Sequence, residues 1–274
     1  RQVNKERVRP NEGLTTAVTV KGLTGETAPI TVVLFGPYPT REAMNCQGPA
    51  IQTQTLTATG DGTYTTPPVT LTTPGFYVFR ESISGNELVE KSEIACGDPL
   101  ETAIVVGSPK VVTQVSAQET TPGGTIHDTL VVTGLGSLTA TVNVELYGPY
   151  ESTDQMVCSG PPAWSGTVEA KGDGTYTTPE VRLTKVGYYT YRERISEMPQ
   201  NDAHQGECGV AAETTIAKAN PEVVTQASSA VLRPGDALFD RLKVTGAGTT
   251  PLQIELALYG PFATKAAMRL SLIH

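Results

Sequence analysis

Short runs of alternating apolar and polar residues dominate the chain. Val142-Asn143-Val144-Glu145-Leu146 alternates at every position, which is the period of a strand with one buried face. Glycine, proline and aspartate separate such runs. Around this run, strands are also predicted at Val111–Val115, Thr129–Thr133, near Val168, and at Thr175–Thr177, Val181–Leu183, Tyr189–Ile195 and Ala211–Ile216. So many short strands at regular spacing predict an antiparallel β-sandwich.

The same pattern recurs with a constant offset of 112 residues. An eight-residue run is identical in two copies, Gly60–Pro67 and Gly172–Pro179. A tripeptide of glycine, proline and an aromatic residue occurs three times, at Gly36–Tyr38, Gly148–Tyr150 and Gly260–Phe262. One long offset without insertions indicates duplication of a whole unit large enough to bury its own core.

A proline marks the start of each copy, at Pro109 and again at Pro221. We therefore divide the chain into repeat 1 (residues 1–108), repeat 2 (residues 109–220) and a truncated repeat 3 (residues 221–274). The fold class predicted for the complete repeats is all-β, as tandem antiparallel sandwiches of the Ig-like or prealbumin-like kind, with one disulfide in each.

Repeat 3 holds counterparts of the first strands only. Without later strands its apolar side chains lack a second sheet, and open strand edges invite pairing with another chain. We expect self-association through this segment. Its predicted strands are Val223–Ala227, Ala237–Thr245 and Leu252–Tyr259, and its uncovered apolar residues are Leu242, Val244, Ile254, Leu256 and Leu258. The offset also places a cysteine at position 270, where the chain has Leu270, and the sequence departs from the earlier copies from Arg269 onward.

The four cysteines are Cys46 and Cys96 in repeat 1 and Cys158 and Cys208 in repeat 2. Equal spacing within repeated units predicts one disulfide in each, since a zinc site would need clustered ligands. Disulfides persist in oxidising compartments, so we expect an extracellular or cell-surface protein.

Composition excludes several function classes. A net charge of −8 and a pI near 5.0 argue against nucleic-acid binding, which rests on clustered Lys and Arg. The longest apolar stretch, 30–35, is far too short to span a bilayer, so no membrane insertion is expected in this fragment.

No enzyme chemistry or cofactor is predicted either. The histidines His127, His204 and His274 occupy positions that hold other residues in the other copies. Asp61 and Asp173 stand in Gly-Asp-Gly, which is read as a hairpin turn because calcium needs several oxygen ligands at fixed spacing.

The stretch Gly60–Tyr64 followed by Pro74–Glu81 resembles the B-type, prealbumin-like repeats of Gram-positive surface adhesins and pilins. In repeat 2 the matching residues are Gly172–Tyr176 and Gly187–Glu193. The Gly-Pro-Tyr element and the cysteine pair look like tandem repeats of actinobacterial cell-surface proteins. The resemblance implies a cell-wall location.

The resemblance also implies an isopeptide bond from lysine to asparagine or aspartate, assisted by a buried glutamate at Glu81 and Glu193. A recurring lysine is missing, since Thr133 stands at the counterpart of Lys21 and Glu222 at that of Lys110. The favoured alternative is a strand glutamate bonded to backbone or paired with arginine. An immunoglobulin domain fits less well, because Ile94 and Gly206 stand where it expects tyrosine.

A structural or interaction role, as stalk or adhesin repeats, is the leading hypothesis. The alternative is a carbohydrate-binding accessory module of a secreted enzyme, in which Tyr38, Tyr150 and Phe262 would contact the ligand. Core packing is the favoured role of these aromatic residues. The expected partner is an unidentified extracellular protein or glycan.

Overall fold

The structure, a computed structural model, describes residues 1–247 and 251–268. That part of the chain is all-β apart from short 3-10 turns. Three of these turns are Pro99–Glu101, Thr153–Gln155 and Ala211–Glu213. Contacts group the chain into two compact units, Arg1–Lys218 and Ala219–His274. Within the described ranges, no helix is both long and apolar enough to cross a lipid bilayer.

Repeat 1 is a sandwich of two main sheets and a small ribbon. Its strands are β1 (Gln2–Val3), β2 (Arg7–Val8), β3 (Gly13–Leu14), β4 (Thr16–Val20), β5 (Thr27–Tyr38), β6 (Gln52–Thr59), β7 (Gly62–Thr65), β8 (Val69–Thr70), β9 (Gly75–Ile83), β10 (Ser92–Glu93) and β11 (Thr102–Val105). One sheet has the order β1-β4-β7 and the other β2-β11-β9-β5-β6, with β10 added to β9. Strands β3 and β8 form the ribbon.

Repeat 2 has the same topology. Its strands are β12 (Lys110–Val115), β13 (Glu119–Thr120), β14 (Thr125–Ile126), β15 (Asp128–Thr133), β16 (Thr139–Tyr150), β17 (Trp164–Lys171), β18 (Gly174–Thr177), β19 (Val181–Arg182), β20 (Gly187–Ile195), β21 (His204–Gln205) and β22 (Thr214–Ala217). The sheets are β12-β15-β18 and β13-β22-β20-β16-β17, with β21 on β20 and the ribbon β14-β19. The predicted all-β fold of tandem Ig-like sandwiches is confirmed.

One feature departs from a purely antiparallel plan. Strand β2 pairs in parallel with β11, and β13 pairs in parallel with β22. The chain leaves the three-stranded sheet after its first strand, crosses to the larger sheet and there runs alongside the last strand. The opening segment of each repeat thus joins both sheets.

The core follows the alternation seen in the sequence. On β16, the side chains of Val142, Val144 and Leu146 are fully buried, whereas those of Asn143 and Glu145 are only half-buried. On the Thr-rich strand β6 and its counterpart β17, every second side chain is exposed to solvent. One buried face per strand fills the space between the two sheets.

Two predictions about local structure are wrong. The strand predicted at Ala211–Ile216 starts only at Thr214, because the 3-10 turn before it carries Glu213 into the interior. Gly60–Gly62 does not form a hairpin, because β6 and β7 belong to different sheets. The turn instead crosses the sandwich, and Oδ1 of Asp61 accepts a hydrogen bond from the Leu23 N–H at 2.8 Å.

In the unit from Ala219 onward, β23 (Glu222–Ala227) pairs with β24 (Asp240–Thr245). The pair Glu222↔Thr245 repeats the register of Lys110↔Thr133 in repeat 2. The strand predicted at Leu252–Tyr259 does not form. In repeats 1 and 2 its counterparts pair with the two strands at β6 and β9, or β17 and β20, and the described part of repeat 3 has no such strands.

The apolar face of repeat 3 is open. Val244, Ile254, Leu256 and Leu258 are exposed, and Leu242 is half-buried. Coverage of this face by a second molecule stays a prediction. The expectations about Arg269, Leu270 and His274 lie outside the described residues.

Candidate functional site

Three acidic side chains of repeat 2 are buried between its two sheets. Asp128 is the first residue of β15, Glu193 lies on β20, and Glu213 ends the 3-10 turn before β22. Their side chains are buried, with exposures of 0%, 1% and 5%. We call these three residues the acid cluster of repeat 2.

Few polar groups contact this cluster. The Thr113 hydroxyl donates a hydrogen bond to Oε1 of Glu213. Nε2 of His204 lies 3.3 Å from Oε1 of Glu193. In the described part of the chain, neither carboxyl oxygen of Asp128 has a hydrogen-bond partner, and Oε2 is unpaired in both glutamates.

Repeat 1 holds a smaller version of the cluster. Glu81 on β9 and Glu101 at the end of its 3-10 turn are 1% and 0% exposed. Thr16, which corresponds to Asp128, donates its hydroxyl to Oε2 of Glu101 at 2.5 Å. One acid of the cluster is thus replaced by a hydroxyl in repeat 1.

Burial raises the pKa of four buried acids in the two repeats. It raises the pKa of Asp128 to about 8, and the nearby Glu213 and Glu193 raise it as well. Burial raises the pKa of Glu213 to about 7 against the lowering effect of the Thr113 hydrogen bond. In repeat 1, burial raises the pKa of Glu81, and raises that of Glu101 to about 8. Near neutral pH Asp128, Glu213 and Glu101 therefore carry protons for much of the time.

The burial predicted for Glu81 and Glu193 is confirmed, but the partners favoured from the sequence are wrong. Among the described residues, the Glu81 carboxyl has no hydrogen-bond partner and the Glu193 carboxyl contacts a histidine, with no arginine paired to either. The lysine ion pairs of that part involve other glutamates, namely Glu12, Glu93 and Glu119. The interior instead gathers further acids, because the turn before the last strand points inward.

A repeated position in the sequence could have identified two of the buried acids that were not predicted. Glu101 and Glu213 stand at the same position of the two repeats, each followed by threonine. Recurrence alone could have singled them out. Asp128 carries no such mark, because Thr16 replaces it in repeat 1.

The side chains of the acid cluster are almost fully buried, with exposures of 5% or less. Over residues 1–247 and 251–268, no three His, Cys, Asp or Glu side chains converge in a way that could hold a metal ion.

The aromatic residues proposed as ligand contacts have different surroundings. Tyr38 and Tyr150 end strands β5 and β16, pair with Phe76 and Tyr188, and are half-buried. Tyr38 also packs against the apolar core. Phe262 lies in repeat 3 and is 40% exposed. Ligand contact by these three residues stays a prediction.

Both predicted disulfides are present. Cys46 is bonded to Cys96 and Cys158 to Cys208, and no free cysteine occurs among the described residues. Each links the loop after the long strand, β5 or β16, to the segment before the last strand. The bond therefore ties together two regions that lie far apart in sequence.

A group of three polar side chains connects repeats 1 and 2. Arg9 donates to both carboxylate oxygens of Asp202, at 2.5 and 2.9 Å, and the Ser108 hydroxyl donates to the same carboxylate at 2.6 Å. These contacts, mainly the one with Arg9, lower the pKa of Asp202 to about 2. We call Arg9, Ser108 and Asp202 the polar clamp.

Apolar and backbone contacts lie in the same connection. Phe76 and Ile104 of repeat 1 belong to one buried cluster with Leu135 and Leu138 of repeat 2. The N–H of Ser137 donates to the Pro74 carbonyl at 3.1 Å. Gly107 and Asn201 form an isolated parallel bridge. Apolar packing, hydrogen bonds and a bidentate ion pair thus act together at one joint.

No protein-family model and no curated protein matches this chain. Solved structures with local similarity include the native conformation of Escherichia coli alpha-2-macroglobulin, with 16% identity and a TM-score of 0.23, over 85% of this chain and 17% of that one. Another is Salmonella alpha-2-macroglobulin reacted with methylamine, with 17% identity and a TM-score of 0.25. It covers 85% of this chain and 17% of its own. The chain thus spans less than a fifth of either protein.

Proposed function

We propose that the chain is a structural and interaction segment of a secreted or cell-surface protein, in which complete sandwiches serve as stalk or adhesin repeats. The polar clamp and the apolar contacts beside it carry this proposal. A flexible linker would leave neighbouring domains free to move, whereas this connection binds both with hydrogen bonds from Ser108 and Gly107 themselves.

The joint is specific to this pair of repeats. Position 9 of repeat 1 corresponds to Thr121 in repeat 2, and Ser108 corresponds to Asn220. Thr121 cannot form a bidentate ion pair, because that geometry needs the planar guanidinium of arginine.

The joint yields a direct test. Replacing Arg9 with alanine should broaden the distance distribution between spin labels placed on exposed sites of repeats 1 and 2, since the clamp then loses its ion pair. Asp202→Ala should have the same effect. Arg80→Ala is a matched control, because Arg80 forms a partly exposed ion pair with Glu93 inside repeat 1. A width unchanged in the clamp variants would contradict the role given to the joint.

A carbohydrate-binding accessory module is the second proposal. The recurrence of Tyr38, Tyr150 and Phe262 supports it, as aromatic faces can stack on sugars. Saturable binding on a glycan array, lost in Tyr38→Ala together with Tyr150→Ala, would favour this role over the structural one. Retained folding of that variant, measured by circular dichroism, is the required control.

A further inference from the structure

The acid cluster of repeat 2 draws its side chains from three segments. Asp128 comes from the three-stranded sheet, Glu193 from the larger one, and Glu213 from the 3-10 turn before β22. Ion pairs of the described residues include none between these carboxyls and a lysine or arginine. Buried ionised carboxylates without partners are very costly, so the folded domain favours the protonated forms of Asp128 and Glu213.

We infer that the acid cluster makes repeat 2 a proton-dependent domain, whose two sheets are held together most strongly in acid and loosen as the medium becomes alkaline. This inference goes beyond a structural role, because it gives a domain of the array a response to its surroundings. It rests on three acids buried between the two sheets, whose carboxyl groups include four oxygens without a hydrogen-bond partner in the described part of the chain.

The groups around the cluster define how it responds. The hydroxyl of Thr113 on β12 donates a hydrogen bond to Glu213. The hydroxyl oxygen of Thr178 accepts a hydrogen bond from the Asp128 N–H at 2.9 Å. His204 on β21 contacts Glu193. Tyr191 on β20 is buried, which raises its pKa, and the carboxyl of Asp128 raises it further. Tyr191 therefore stays neutral over the range in which the acids titrate.

The direction of the effect follows from proton linkage. A carboxyl group in an unfolded chain has a pKa of about 4, whereas those of Glu213 and Asp128 are about 7 and about 8 when folded. Between these limits the folded state binds more protons, so stability falls as pH rises. The contribution is complete below about pH 4 and is lost as pH passes through 7 and 8. The pKa of Asp202 is lowered to about 2, so its contribution to stability is lost as pH falls below about 4.

The chain contains its own reporter for the test. Trp164 is the single tryptophan, lies on β17 of repeat 2, and makes an edge contact with Tyr191 at a ring distance of 6.3 Å. Its fluorescence should therefore follow the unfolding of repeat 2 within the full chain. We expect the Trp164 melting temperature to drop by about 10 °C or more between pH 5 and pH 9.

Neutral variants identify the source of the response. Asp128→Asn combined with Glu213→Gln keeps the shape of both side chains and removes both titrations, so the melting temperature should vary by only a few degrees over the same range. Asp128→Thr introduces the residue that repeat 1 has at this position. It should reduce the change of melting temperature with pH. Asp154→Asn changes an exposed acid of the same repeat and should keep the wild-type slope.

A measurement on the wild-type chain avoids dependence on folded variants. The infrared carbonyl band of protonated carboxyl groups should be visible at pH 7 and should disappear by pH 9 or on unfolding. The inference is overturned by absence of that band at pH 7, by a melting temperature that is constant or higher at pH 9, or by a wild-type slope in the doubly neutral variant.

Discussion

Replacing Cys158 and Cys208 with serine should lower the free energy of unfolding of repeat 2 by up to about 4 kcal/mol. The bond closes a loop with a sequence separation of 50 residues, and removing it restores that conformational freedom to the unfolded chain. Both positions belong to loops rather than strands, so the sandwich itself should still form. Urea unfolding followed by Trp164 fluorescence measures the change directly, since this residue lies in the same repeat.

The other disulfide provides the matched control. Serine at Cys46 and Cys96 opens an equal loop in repeat 1, where no tryptophan is present. The Trp164 transition should then move far less, while the loss of strand signal by circular dichroism should shift to lower urea. Equal shifts of the Trp164 transition in both variants would contradict separate cores in the two repeats.

Neighbouring valines on β15 should differ sharply when each is replaced with alanine. Val132 is 1% exposed and points into the core, whereas Val131 is 43% exposed and points away from it. Val132→Ala removes buried methyl groups and leaves a cavity, so it should destabilise repeat 2 by about 2 kcal/mol. Val131→Ala should change stability by less than about 1 kcal/mol, because its methyl groups stay in solvent.

Both variants replace a valine of β15 with alanine, so both lose the same amount of β propensity. Comparing their urea midpoints therefore isolates burial from strand preference. Equal destabilisation would mean that the register of β15 is shifted by one residue, which would turn each side chain to the opposite face.

The features that could be predicted from sequence are those with a local or periodic cause. Alternation marks Val142, Val144 and Leu146 because a strand turns every second side chain to the same face. The cysteine pairs were predicted because duplication preserves their spacing. Neither prediction requires knowledge of which strands pair with one another.

The features that were missed depend on contacts between distant segments. A Gly-Asp-Gly turn has the same local conformational preferences whether it joins strands of one sheet or two, so the crossing at Asp61 was predicted as a hairpin. Leu252–Tyr259 alternates as a strand would, but a strand forms only where others pair with it. The acid cluster joins Asp128 to residues of two remote segments, which no local pattern reveals.

Pulling the full chain from both ends in single-molecule force measurements tests the central claim most directly, namely that repeats 1 and 2 are separate, cooperatively folded sandwiches suited to a structural role. Two unfolding events are expected in oxidising buffer. Under reducing conditions each event should lengthen by roughly 170 Å, because each disulfide hides about 50 residues from the force. Gradual extension without distinct events, or a single event that spans both repeats and does not change on reduction, would contradict the account.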